Sequence, residues 1–300
     1  MISYNDKVLR VNTKWLLREN TNPLNLPAYN IRCLFEDGYT PTQGTSRVQV
    51  SVSPNIWDIA QPGSWASLFD QETHLLEVLG ANSEGVTNVA LMFTHCSNLR
   101  KVALFDTSFM TNFQGLFNQC SSLVTIPKFD SRNVTTMEMM FDHCLSLKYV
   151  PLLNTSNVTN MNYMFDECIL ITTVPFFDTS KVTTMREMFM RCISLRTVPT
   201  FDTHNVTDMR SMFLMNSYEV SELESIPPFD LTSCTTISNM YALCGNVSSG
   251  ILDFYNYAST IPALQDEYAH KSALEWCGYN NPTGRAELDQ VPQDWKGLTP

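Results

Sequence analysis

The sequence predicts an α/β solenoid: units of about 24 residues, each a short helix followed by a parallel strand, stacked between a β-rich N-terminal segment and a helical C-terminal cap. Three observations carry this. Cys96, Cys120, Cys144, Cys168 and Cys192 recur at one constant interval. Phe69, Phe93, Phe117, Phe141, Phe165, Phe189 and Phe213 keep the same beat. After Phe213 the step lengthens, as the wider gap from Phe201 to Phe229 shows, and Tyr241 and Cys244 then resume the two slots. Eight copies are counted on the aromatic slot, the first and last degenerate. A unit this short buries its apolar face only against its neighbours.

Within a copy the helix is read first. Val182, Met185, Phe189 and Cys192 fall at i, i+3, i+7 and i+10, one face of a short helix. Thr87, Thr111, Thr135, Thr159, Thr183 and Thr207 share the slot where a hydroxyl caps a helix start, and Thr135 with Glu138 has capping-box spacing. The methionines Met137, Met140, Met161, Met164, Met185, Met188, Met209 and Met212 are core positions by the same spacing. Leu195 and Val198, followed by proline, predict a strand whose copies pair in parallel. A helical turn and a strand in about 24 residues is leucine-rich-repeat geometry.

The phrases MFTHCSNLRKV, MFDHCLSLKYVP and MFMRCISLRTVPTFDTHNVTDM resemble the BspA-type leucine-rich repeats of bacterial surface proteins, in their mycoplasma-lipoprotein variant. The likeness covers roughly 62–250. The flanks PLNLPAYNIRCLFEDGYTPT, VQVSVSPNIWDI and GRAELDQVPQDWK are similar to proteins encoded by gut Bacteroidales and their phages. These resemblances imply surface recognition of another protein, a glycan or a host cell.

Residues 1–61 form the expected attachment or capping domain, 62–250 the solenoid and 251–300 the cap. Between Tyr29 and Ser53 two half-buried strands are predicted, with Asp37-Gly38 as their turn, and YNDKVLRVNTKWL is a further hairpin or exposed strand. Pro62-Gly63 punctuates the boundary with the repeats. After Ile251 the beat is lost, and LDFYNYASTIPALQDEYAHKSALEWCG reads as one or two helices ending at Gly278.

Thirty acidic and 19 basic residues give a net charge of −11, with no basic run to track a phosphate backbone, so no nucleic acid partner is expected. No apolar run reaches the roughly 18 residues of a transmembrane span. No secretory signal is read at the N-terminus. Nine cysteines, an odd number, argue against a disulfide framework.

Four repeating features invite chemistry. The ladder cysteines are read as small buried hydrophobes, since parallel Cα–Cβ bonds suit neither a disulfide nor zinc, and Asn216 takes the sixth slot. Asp106, Asp130, Asp178, Asp202 and Asp230, with Asn154 in the third slot, are either calcium ligands or Asx-type turn formers; the Asn favours the turn. Asp142-His143-Cys144 suggests a nucleophile pair, but chain neighbours on a helix diverge by about 100°. The NVT triplets at Asn133, Asn157 and Asn205 belong to the repeat phrase itself. No catalytic residue, metal site or cofactor is therefore expected.

Function is sought where copies differ. One strand slot reads Lys101, Thr125, Tyr149, Thr173, Thr197; another reads Leu104, Lys128, Leu152, Phe176, Thr200. Lys101, Leu104, Lys128, Tyr149, Leu152, Phe176 and Thr200 form the expected binding surface, with the insertion SYEVSELE as a second loop candidate. The expected protein is a non-enzymatic, virion-associated fibre, receptor-binding or decoration component of a Bacteroidales phage. A bacterial cell-surface adhesin and an intracellular protein-binding scaffold are the alternatives. Expected partners are other virion or surface proteins, or a host-surface protein or glycan, and homo-oligomers are compatible with the repeat.

Overall fold

Five strands begin the chain: β1 (Asn30–Phe35), β2 (Val48–Ser53), β3 (Ile56–Ala60), β4 (Leu75–Asn82) and β5 (Lys101–Val102). This computed structural model describes residues 24–41, 48–216 and 220–297, and YNDKVLRVNTKWL lies outside them. Ile31, Cys33 and Phe35 alternate inward along β1. The sheet order is β2-β3-β1-β4-β5, antiparallel except for the parallel β4–β5 pair. The two predicted N-terminal strands therefore exist without pairing: β3, built from IWDIA, lies between them. A bidentate Arg32–Asp58 ion pair at 2.6 Å joins β1 to β3. β4 belongs to the first copy and β5 to the second, so the sheet crosses the expected boundary at Pro62-Gly63 and hydrogen-bonds to the stack.

The predicted repeat helix is absent: among the described residues, Val182–Cys192 and its equivalents are linked turns. Between Met137 and Cys144 the backbone N–H groups alternate in destination. Those of Met137, Met139, Phe141 and His143 donate to carbonyls of Asn160, Asn162, Met164 and Asp166 in the next copy at 3.0, 2.9, 3.0 and 2.7 Å. Those of Met140, Asp142 and Cys144 donate three residues back at 3.1, 3.3 and 3.0 Å. An α-helix needs every N–H for its own i−4 carbonyl, so a segment that gives half its donors to a neighbour cannot be one. The turns require left-handed backbone at Met139 (φ 54°) and His143 (φ 58°). The same two slots are left-handed at Tyr163 and Glu167, Glu187 and Arg191, and Asn239 and Leu243. Each non-glycine residue there costs roughly 1–2 kcal/mol, offset by inter-copy bonds contributing about 0.5–1.5 kcal/mol each.

The strand side is also sparser than predicted. Pairing beyond β5 is reduced to single parallel bridges such as Thr125↔Tyr149 and Ser225↔Ser249. Proline explains it. Pro127, Pro151, Pro175, Pro199 and Pro227 occupy a slot held in the second copy by Ala103, whose N–H donates to Val78 at 2.9 Å and extends the ladder. A proline has no N–H to give.

Side chains complete the inter-copy bonding. The slot hydroxyls of Thr135, Thr159, Thr183 and Thr207 cap no helix; each donates to the preceding copy's Thr carbonyl at 3.1–3.2 Å, beside the backbone N–H that does the same. Glu138, read as the capping-box partner of Thr135, accepts instead from Gln114 at 3.1 Å. The Nδ2 groups of Asn133, Asn157 and Asn205 donate to carbonyls of the copy before at 2.7–2.8 Å. Buried Thr107, Ser131, Thr155, Thr179 and Thr203 reach forward to the carbonyls of Asp130, Asn154, Asp178, Asp202 and Asp230 at 2.8–3.0 Å.

The cysteine ladder has a sharper role than filling space. Each Sγ–H donates to the carbonyl of the aromatic-slot residue one copy back: Cys96 to Phe69, Cys120 to Phe93, Cys144 to Phe117, Cys168 to Phe141 and Cys192 to Phe165, at 3.0–3.1 Å. The slot wants a small apolar residue carrying one donor, which describes a thiol. The phenylalanines stack face to face from Phe69 to Tyr241 with centroids 5.1–5.9 Å apart. All nine cysteines are buried, and none is in a disulfide.

The Asp ladder makes Asx turns. Oδ1 of Asp106, Asp130, Asn154, Asp178, Asp202 and Asp230 accepts from the backbone N–H two residues on, at 2.9–3.3 Å. Side-chain donors add to this. Arg132, Ser180, His204 and Thr232 hold Asp130, Asp178, Asp202 and Asp230 below the usual carboxylate range.

The C-terminal segment contains α1 (Ile251–Ala258), a 3-10 turn (Pro262–Leu264), α2 (Glu267–His270), α3 (Pro282–Leu288) and α4 (Gln293–Lys296). Phe254 of α1 meets Tyr241 edge-on at 5.1 Å, ending the aromatic stack. The expected helix running to Gly278 is not formed. Residues 269–277 instead make a ninth turn unit: Ile237, Asn239, Tyr241 and Leu243 donate to Ala269, Lys271, Ala273 and Glu275 at 2.6–2.9 Å, and Ser272 and Trp276 take the left-handed slots. Leu274 and Cys277 stand in the aromatic and cysteine slots, following Tyr241 and Cys244 after a longer step than any before it. Gly284 allows α3 to pack here, since a Cβ at that position would run into the Val247 carbonyl.

Burial pushes the thiols up, to about 11 for Cys234 and about 12 for Cys244, so Ellman's reagent should label none of the nine in the folded protein and all nine in urea. Cys144→Ala, which removes one of two donors to the Phe117 carbonyl and leaves the Cys120 N–H at 3.0 Å in place, should cost about 0.5–1.5 kcal/mol by urea denaturation. The turn aspartates have lowered folded pKa values, so their contribution is present above the unfolded value and is lost as pH falls through the folded ones. Urea midpoints should therefore drop below about pH 4. An Asp178→Asn, Asp202→Asn variant, which keeps the turn acceptors, should lose less than the wild type over the same acid range.

Candidate functional site

The strand-side slots face outward because the residues between them, Leu147, Leu153, Ile171 and Phe177, point into the core. Tyr149, Leu152 and Phe176 are 70%, 52% and 62% exposed. Lys101, Lys128 and Thr200 are exposed as well, while Leu104 is half-buried against the core. Leu152 and Phe176 hold the same slot in adjoining copies, and Tyr149 lies three residues before Leu152 on the copy bridged to Thr125. The result is an apolar row flanked by Lys128. In the insertion, residues 217–219 lie outside the described residues; Val220 is exposed, Ser221 is buried and Glu222 pairs with Arg196 at 2.8 Å.

A cleft of about 390 Å³ between the last regular turn and α1 is lined by Ile226, Phe229, Phe254 and Tyr257. Its Asp230 carboxylate is already engaged by the Thr232 N–H and hydroxyl and, at 3.3 Å, by the Tyr257 hydroxyl.

The opposite kind of site lies on the turn side. Two neighbouring slots read Thr94, Asn118, Asp142, Asp166, Met190 and His95, Gln119, His143, Glu167, Arg191. Stacking brings their middle members together. His143 Nδ1 contacts Asp142 Oδ1, and its Nε2 lies 3.3 Å from Glu167 Oε2. Arg191 contacts Glu167 and lies 3.5 Å from Asp166 Oδ2. Asp166 is only 4% exposed, and its Oδ1 has no hydrogen-bond partner. Burial pushes the Asp166 carboxyl up to about 7, against the pull of Arg191, and Asp142 is raised by burial too. Cys144 takes no part: its Sγ donates to the Phe117 carbonyl, so the imagined His143–Cys144 nucleophile pair is not assembled.

Sequence reading passed over this cluster because it examined chain neighbours. The signal was there in the period: aligning copies sets Asp142 against Asp166 and His143 against Glu167 and Arg191, in slots that turn apolar at Met190, Leu214 and Met215.

The profile of a family described as "Mycoplasma protein of unknown function, DUF285" matches residues 63–172 and 170–263. No curated protein matches. Among solved structures, a leucine-rich repeat protein from Eubacterium ventriosum is 20% identical, with a TM-score of 0.33. That match covers 56% of this chain and 37% of the other, so the chain spans well under half of that protein's length. The T. pallidum leucine-rich repeat protein TpLRR is 13% identical, with a TM-score of 0.39 over 85% of this chain and 97% of its own. No helix among the described residues is long and apolar enough to cross a membrane.

Removing the Arg191 guanidinium, which faces the buried carboxylates, should be costly. Arg191→Met is expected to destabilise the fold by about 1–3 kcal/mol in urea titrations, because Asp166 is left without its cation; the cost stays below the roughly 3–5 kcal/mol of a fully buried pair since Arg191 is 30% exposed. Arg196→Met, which breaks an exposed pair with Glu222, should change stability by less than about 1 kcal/mol.

Proposed function

The chain belongs to the family described as "Mycoplasma protein of unknown function, DUF285", and on that premise we propose that it is a non-enzymatic recognition protein that holds a partner protein against its strand-side row. The observation carrying the reading is the exposure of Tyr149, Leu152 and Phe176 in adjoining copies. Stacking does not demand them: equivalent slots carry Thr125, Thr173, Lys128 and Thr200. Aromatic and aliphatic side chains kept in water at positions free to be polar are what a protein interface uses as anchors. Such a row of exposed side chains suits a protein surface better than a small molecule, which takes a concave site.

The proposed setting is a particle surface: a fibre, receptor-binding or decoration component of a Bacteroidales phage. What supports this is the similarity of the flanking phrases, and a bacterial cell surface is the competing setting.

The test uses the full chain and a Tyr149→Ser, Leu152→Ser, Phe176→Ser variant, titrated against intact phage particles and against isolated bacterial cell-surface fractions. The exposed substitutions should leave the urea midpoint nearly unchanged and weaken retention on particles at least about tenfold. Equal retention of variant and wild type would sink the apolar row. Retention on cell surfaces alone would move the protein to the adhesin setting.

A further inference from the structure

We propose that Asp142, His143 and Asp166 form a binding site for one divalent transition-metal ion of the Zn²⁺ type, which staples the fourth copy of the repeat to the fifth. One carboxylate oxygen of Asp142, one ring nitrogen of His143 and one carboxylate oxygen of Asp166 lie within 4.8 Å of one another. Ligands at 2.0–2.2 Å from a tetrahedral ion are about 3.4 Å apart, so modest side-chain rotations bring the three atoms onto one ion.

Three features point to a cation. Asp166 Oδ1 is buried without any donor, in a residue that keeps only 4% of its surface exposed. A carboxylate oxygen in that condition is expensive unless something positive meets it. The imidazole adds a second mismatch. Both ring nitrogens of His143 face carboxylate oxygens, those of Asp142 and Glu167, yet a neutral imidazole has one N–H to offer. A metal on one nitrogen, with the other donating to its carboxylate, resolves both contacts, and a carboxylate behind a metal-bound histidine is the usual supporting partner. Charge gives the third argument. When all three are ionised, Asp142, Asp166 and Glu167 set three negative charges against one positive charge on Arg191, a deficit that a divalent ion fills with the imidazole neutral.

The donor set selects the ion. Calcium takes six to eight oxygens, which this turn does not supply, whereas a histidine with two carboxylates suits zinc and its neighbours and leaves a position for water. The buried thiols are not competitors, because each ladder Sγ–H is committed to a carbonyl.

The test is isothermal titration of the metal-free full chain with ZnCl₂ and separately with CaCl₂, alongside Asp166→Asn, His143→Gln and a control, Asp202→Asn. The expected result is one Zn²⁺ per chain, a rise in unfolding temperature and affinity at least about tenfold lower in each site variant, with the control unchanged and calcium weaker. The cobalt(II) form of the wild type supplies a readout should a variant fail to fold: nitrogen and oxygen ligation gives weak visible bands without a thiolate charge-transfer band. Absence of saturable zinc binding, wild-type affinity in either site variant, calcium binding as tight as zinc, or a thiolate band would each overturn the proposal.

Discussion

The structure depends on one constraint: a backbone folded into turns cannot satisfy its own polar groups. Helices and sheets close their hydrogen bonds internally or along a ladder, but the turn unit here spends alternate N–H groups locally and sends the rest to the next copy. Every copy is therefore incomplete alone. The fixed polar letters of the repeat follow from this need. Threonine at the first slot, asparagine two residues before it, the buried Thr or Ser after each aspartate, and the cysteine thiol all end on a carbonyl of an adjoining copy. The apolar letters then fill a column whose aromatic rings stack at the same interval.

This arrangement separates residues that hold copies together from residues that are free. A slot that must donate to the neighbouring carbonyl is locked, and a slot facing water on the strand side is not, which is why Tyr149 and Phe176 stand where other copies have threonine. The turn-side cluster is a third category. Asp142, His143, Asp166, Glu167 and Arg191 occupy slots that the stack fills elsewhere with methionine and leucine, and they carry buried charge there at a cost to stability.

The helix expectation failed for an instructive reason. Val182, Met185, Phe189 and Cys192 do point inward, as their spacing requires, and all are buried. Linked turns with a left-handed residue at every fourth position return side chains to one face at nearly the helical interval, so periodicity reports which residues are inside without reporting the hydrogen bonds. The same limit hid the ninth unit. Leu274 and Cys277 fill the two slots only after an enlarged step, because α1 and α2 are looped out between them and the constant interval is lost.

The sequence by itself determined the repeat: its period, its buried column, the Asx role of the aspartates and the burial of cysteines outside any disulfide. These are properties of a residue and its equivalents, and a period displays them directly. Tertiary structure alone decided where the hydrogen bonds go, how the N-terminal sheet joins β4 and β5, and which polar side chains meet across copies. Those outcomes depend on atoms a full repeat apart along the chain competing for the same N–H groups, and the stacked chain settles that competition.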